Sequence, residues 1–151
     1  MRNCLEKPEA WIAINGFLLA FLWEMLQMPF YEMGGLSTSQ ATRNCALATF
    51  GDAGIMVFAY WVATRFAPNS LWLRQWRIRP LAIYLSVGMA ITVVVEHFAL
   101  RSNWGWTYSE TMPTIATIGL VPIFMWLIVP VLTLVLAKRS LFGSKLTAED
   151  R

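Results

Sequence analysis

The chain has 151 residues, of which 57% are hydrophobic and only 14% charged. That balance leaves too little polar surface to cover a soluble domain of this size, so composition excludes a water-exposed globule and points to a membrane protein. The formal net charge of +3 is placed as membrane topology requires, and no nucleic-acid partner is expected.

Four windows with almost no charge fall at 10–31, 46–66, 80–100 and 114–137, each long enough to cross a hydrocarbon layer of ~30 Å as a helix. The expected fold is all-α: a single membrane domain over residues 1–151, built as a polytopic four-transmembrane-helix bundle. The first window carries Glu24 and no small-residue cleavage site follows it, so it is expected to stay as an anchor. Between the first two windows, "EMGGLSTSQATRNC" reads as a turn, with Asn44 the expected cap of the second helix. In "APNSLWLRQWRIRP", Trp72 and Trp76 alternate with Arg74, Arg77 and Arg79, which suits a short segment lying at the headgroup level. Pro80 is expected to open the third helix.

With four crossings, both tails and the middle loop share one side. That side holds Arg2, Lys7, Arg65, Arg74, Arg77, Arg79, Lys138, Arg139, Lys145 and Arg151, leaving only Arg43 and Arg101 of the twelve basic residues opposite. By the positive-inside rule both termini are expected in the cytoplasm. Cys4 and Cys45 then lie on opposite sides, too far apart to pair.

Helical spacing gathers small and polar residues onto one face of each of the first three helices: Ala13, Gly16, Ala20, Glu24 and Gln27; Ala48, Asp52, Ala59 and Ala63; Tyr84, Gly88, Thr92 and Glu96. Such faces pack against other helices in lipid. The acids need a further reason. From the expected helix ends, Glu24, Asp52 and Glu96 sit ~10, ~9 and ~7 Å below the outer surface, so one layer is expected to hold all three. Each carboxylate near the bilayer core costs about 2.5–3.5 kcal/mol, which calls for compensation or a use.

Trp23, Phe30, Tyr31, Trp104, Trp106, Tyr108 and Trp126 lie near that layer, as an interfacial belt or as the wall of a pocket. Arg43 and Arg101 cannot neutralise three buried acids together with Glu32 and Glu110, so at least one carboxyl is expected to be neutral. A neutral acid beside a charged one is an arrangement used in acid–base catalysis. His97 points about 100° away from Glu96 on the helix and is expected to bind a neighbour. No spacing matches a metal site, and no cofactor is expected.

The stretches "NGFLLAFLWEMLQMPFY" and "FGDAGIMVFAYW" resemble the integral-membrane terpene cyclases of fungal meroterpenoid and indole-diterpene pathways. The resemblance implies Glu24 as catalytic acid with Asn15 and Trp23 beside it. "EHFALRSNWGWTYSETMPTIATIGLVPIFMWLIVP" is similar to membrane carotenoid hydratases and lycopene cyclases, mapping onto Glu96, Trp106, Tyr108, Pro122 and Trp126. Its Trp-Glu, Gly-Asp and Trp-x-Tyr…Met-Pro signature also looks like that of small bacterial four-helix inner-membrane proteins.

These likenesses imply a lipid- or isoprenoid-modifying enzyme of cyclase or isomerase type. Glu24, Asp52 and Glu96 would be catalytic, with Asn15, Trp23, Gln27, His97, Trp104, Trp106, Tyr108 and Trp126 around the substrate. Prenyl cyclisation needs a strong acid and a dry aromatic cavity that stabilises cations. Four helices enclose such a cavity only if it opens to lipid or a second copy completes it, so a homo-oligomer belongs to this expectation. Two alternatives stay open: a non-catalytic subunit or scaffold docking a partner through its outer polar cluster, and a small proton- or metal-linked transporter.

Overall fold

The computed structural model describes residues 7–32, 34–67, 72–102 and 105–149, without the side chains of 143–149. Its long helices are α1 (Pro8–Gln27), α2 (Thr38–Arg65), α4 (Ile78–Ala99) and α5 (Leu120–Glu149). A short α3 (Trp72–Gln75) and a two-residue hairpin, β1 (Thr114–Ile115) and β2 (Ile118–Gly119), complete the order. α1 and α4 each pack against both α2 and α5 and lie across the diagonal from one another. The start of α1, the end of α2, the start of α4 and the end of α5 therefore share one end of the bundle, the terminal end. Among the described residues, four helices are long and apolar enough to cross a membrane. Exposed Leu18, Leu22, Leu26, Phe50, Phe58, Val94, Phe98 and Leu127 belt the outside.

Helix boundaries depart from the hydrophobic windows where polar residues carry structure. α2 begins at Thr38 because Ser37 and Gln40 form a capping box, Ser37 Oγ accepting from the Gln40 N–H and Gln40 Oε1 accepting from the Ser37 N–H at 2.8 Å. Ser37, not Asn44, is the cap, and the helix gains two turns. Residues 114–119, expected as the start of the last helix, form the hairpin instead. Its central Ala116 and Thr117 have φ of 48° and 70°, a left-handed pair normally given to Asn-Gly. Pro80 falls in the first turn of α4 rather than at its start, where no intrahelical N–H is yet required.

The largest correction concerns α3. Trp72 and Leu73 are buried, not laid on the surface. Trp72 packs with its ring centroid 5.2 Å from that of Tyr60 and 6.5 Å from that of Tyr84, both tilted, and its indole N–H donates to Thr64 Oγ1 at 3.0 Å. The indole closes the terminal end of the bundle. The cations of this segment stay outside, with Lys138 over the Trp76 ring and Arg74 near the Phe142 ring.

Candidate functional site

At the opposite end, two loops are knitted together over the helix ends. Pro29 ends α1 in a 3-10 turn, and Tyr31 bridges Tyr108 in antiparallel fashion. The Glu32 N–H donates to Thr107 O and the Ser109 N–H to Phe30 O, each at 3.0 Å. The Pro29 carbonyl, freed at the helix end, accepts the hydroxyls of Ser109 and Thr111 at 3.1 and 3.2 Å. Gly105 makes the turn possible: a Cβ there would stand 1.9 Å from the Ala99 carbonyl oxygen.

This lid delivers donors to Glu96, which is buried. Trp106 Nε1–H donates to Glu96 Oε2 at 3.2 Å, and the Tyr108 hydroxyl donates to the same oxygen. The Tyr108 hydroxyl also accepts the Gly119 N–H at 2.9 Å, which ties the hairpin to the carboxylate. On α1, Trp23 Nε1–H donates to Gln27 Oε1 at 3.0 Å, and Gln27 Nε2 donates to Glu24 Oε1 at 2.7 Å. The indole fixes which way the buried amide faces, and the amide in turn holds Glu24.

Asp52 comes from α2 and lies deeper than an equal-depth layer would place it. Phe50 packs on Phe17 at 4.7 Å, and a Cβ at Gly16 would stand 3.0 Å from the sulfur of Met56. That register sets Asp52 roughly 10 Å below Glu24 along the helix axes at 1.5 Å per residue. Helical side chains lean toward their N-termini, so in these antiparallel helices Glu24 reaches down and Asp52 reaches up. The three carboxyls remain within electrostatic range of one another. Among the described residues, Asp52 accepts no hydrogen bond and no Lys or Arg pairs with any of the three. Arg101 instead donates to His97, at 3.2 Å to Nδ1 and 2.9 Å to the carbonyl. Arg43 is exposed. An ion-pair network therefore does not account for the acids. Among the described residues no three His, Cys, Asp or Glu side chains could hold a metal ion.

Tyr31, expected in the aromatic belt or in a pocket wall, sits at the centre. Its phenol is within electrostatic range of Glu96, Glu24, Tyr108 and Asp52, and burial followed by those charges drives its pKa far above the ordinary value. Its ring meets Trp106 and Tyr108 edge-on at 6.4 and 5.6 Å. Tyr108 is raised likewise, first by burial and then by its bond to Glu96.

Against known protein families, curated proteins and solved structures, the chain finds no match. The site is therefore defined by its geometry alone.

Glu24, Asp52, Glu96, Trp23, Gln27, Trp106 and Tyr108 are brought together, with Tyr31 added. Thr92 joins them one turn below Glu96, its buried hydroxyl without a partner among the described residues. Three expected members lie elsewhere. Asn15 is nine residues from Glu24, two and a half turns, and so leaves α1 on the opposite side. Its amide Nδ2 is buried without a described partner. His97 is exposed and turned to Arg101. Trp126 packs onto Gly88, two turns below Glu96. Trp104 lies outside the described residues.

Proposed function

We propose that this is an integral membrane enzyme performing acid-catalysed chemistry, of isomerase or cyclase type, on a lipid or isoprenoid. One observation carries this reading: three carboxyls converge beneath Tyr31, Trp106 and Tyr108 with no described cation to neutralise them. An unneutralised cluster in an apolar setting must hold protons, and a held proton can be given to an alkene.

The donors on Glu96 Oε2 suit it to carry negative charge. Asp52, whose oxygens have no described donor, is the proton donor, and Glu24 is steered by Gln27. Protonation of a carbon–carbon double bond makes a carbocation, which the ring faces of Tyr31, Trp23 and Trp106 stabilise. Loss of a proton from a neighbouring carbon to Glu96 restores neutrality and leaves the double bond moved or a ring closed. Membrane lipid supplies the substrate laterally, and a homo-oligomer belongs to this reading. The ten-to-two division of basic residues supports a bacterial cytoplasmic membrane with both termini in the cytoplasm.

The test is mass spectrometry of lipids bound to the purified protein, for wild type, Asp52→Asn and Glu24→Gln. A prenyl or acyl lipid altered by wild type, and accumulating unaltered on both folded variants, is the expected result. Identical lipids on all three proteins, with a partner protein lost from the variants, would replace this reading with a scaffold.

A further inference from the structure

A groove of about 600 Å3 opens at the terminal end, where α2 finishes and α4 begins. It is lined by Arg65, Arg77 and Arg79 together with Phe66, Ile78 and Pro80, and among the described residues no carboxylate lines it. We propose that this groove binds the phosphate of an anionic phospholipid from the surrounding leaflet. The inference is independent of the carboxylate site at the other end.

Three features select this ligand. The first is charge: three arginines line one concavity, and guanidinium forks match phosphate oxygens in pairs. Two of them are already held. Arg65 lies over the Trp61 ring at 4.6 Å, and Arg77 Nε–H donates to Gln75 Oε1 at 3.1 Å, with its terminal nitrogens unbonded among the described residues. Side chains fixed in advance lose less freedom on binding. The second feature is the start of α4, where the N–H groups of Ile78 and Arg79 precede the first intrahelical bond and add partial positive charge.

The third feature distinguishes a lipid from a free anion. Phe66 and Ile78, 66% and 77% exposed, form an apolar rim, and Trp61 beneath Arg65 is half exposed on the lipid-facing side of α2. A soluble phosphate would use the cations and leave this rim in water. A phospholipid uses both, its phosphate on the arginines and its acyl chains along Phe66, Trp61 and Ile78. Basic pockets between helix ends are suited to anionic headgroups in this way.

Native mass spectrometry of the full chain in detergent tests the proposal, titrating phosphatidylglycerol and, separately, phosphatidylcholine. The wild type is expected to retain phosphatidylglycerol at least tenfold better. The groove variant Arg65→Gln/Arg77→Gln/Arg79→Gln should lose that preference, whereas Arg74→Gln/Lys138→Gln/Arg139→Gln, which removes the same charge outside the groove, should keep it. Equal loss in both variants would reduce the effect to general surface charge and overturn the proposal. Equal retention of the two lipids by wild type would do the same, as would displacement of phosphatidylglycerol by millimolar inorganic phosphate. If the triple variant does not fold, Arg79→Gln alone should weaken retention several-fold, and an unchanged value refutes the site.

Discussion

Tyr108→Phe removes one oxygen and, with it, two bonds of different kinds. The Tyr108 hydroxyl donates to Glu96 Oε2 and accepts the Gly119 N–H, and both Glu96 and Gly119 are buried. A hydrogen bond to a carboxylate contributes about 1.5–3 kcal/mol, and a buried N–H left unpaired costs about 1–3 kcal/mol. Phenylalanine keeps the ring and its edge contact with Tyr31, so little packing is lost. The expected destabilisation is about 2–4 kcal/mol, allowing for water replacing part of the loss. Reversible unfolding of the purified protein in mixed micelles, followed by helical circular dichroism, measures it. Trp106→Phe in the same background gives the second leg of a double-mutant cycle, because both donors address one oxygen. A coupling of at least about 0.5 kcal/mol is expected between groups sharing a partner. A Tyr108→Phe loss below about 0.5 kcal/mol, or strict additivity with Trp106→Phe, would refute the view that Glu96 is fixed by the lid.

Gly88→Ala should cost about 1–3 kcal/mol, the usual range for overpacking, because its Cβ would stand 2.1 Å from Trp126 Cζ3 in a fully buried indole. Trp126→Leu in the same chain should recover most of that stability in the same unfolding assay. Alkaline pH offers another check. The folded pKa values of Tyr31 and Tyr108 lie above the unfolded value near 10. Their contribution is thus fully present below pH ~10 and lost as pH rises through the folded values. Unfolding midpoints should fall above pH ~10, and Tyr31→Phe/Tyr108→Phe should flatten that fall.

The four long helices were legible because uninterrupted apolar runs have no other use in a chain this poor in charge. Their ends were not, since a capping box lies in residues that hydropathy reads as loop, and α2 therefore starts at Ser37–Gln40 rather than near Asn44. Trp72 shows a related limit: between arginines an indole reads as an interfacial anchor, and only the contacts with Tyr60, Tyr84 and Thr64 reveal it as core. For the site, helical spacing correctly grouped Glu24 with Gln27 and placed Glu96 above Thr92, because one-turn intervals survive any uncertainty in helix ends. Nine residues do not return to the same face, which is why Asn15 falls away from Glu24. The offset of Asp52 depends on the packing of Phe17 on Phe50 and Met56 on Gly16, and a tertiary register is not written in either helix alone. Tyr31 could have been found from Pro29, which ends α1 and turns the chain so that Tyr31 pairs with Tyr108 over the bundle.

Trp72 acts as a stopper at the terminal end of the bundle, part of the packed core rather than the wall of a passage. With Tyr60 and Tyr84 packed against it and Thr64 holding its nitrogen, that end is filled with side chains rather than left open. Passage from one face of a membrane to the other would require that stopper to be drawn, at the expense of a buried indole and its hydrogen bond.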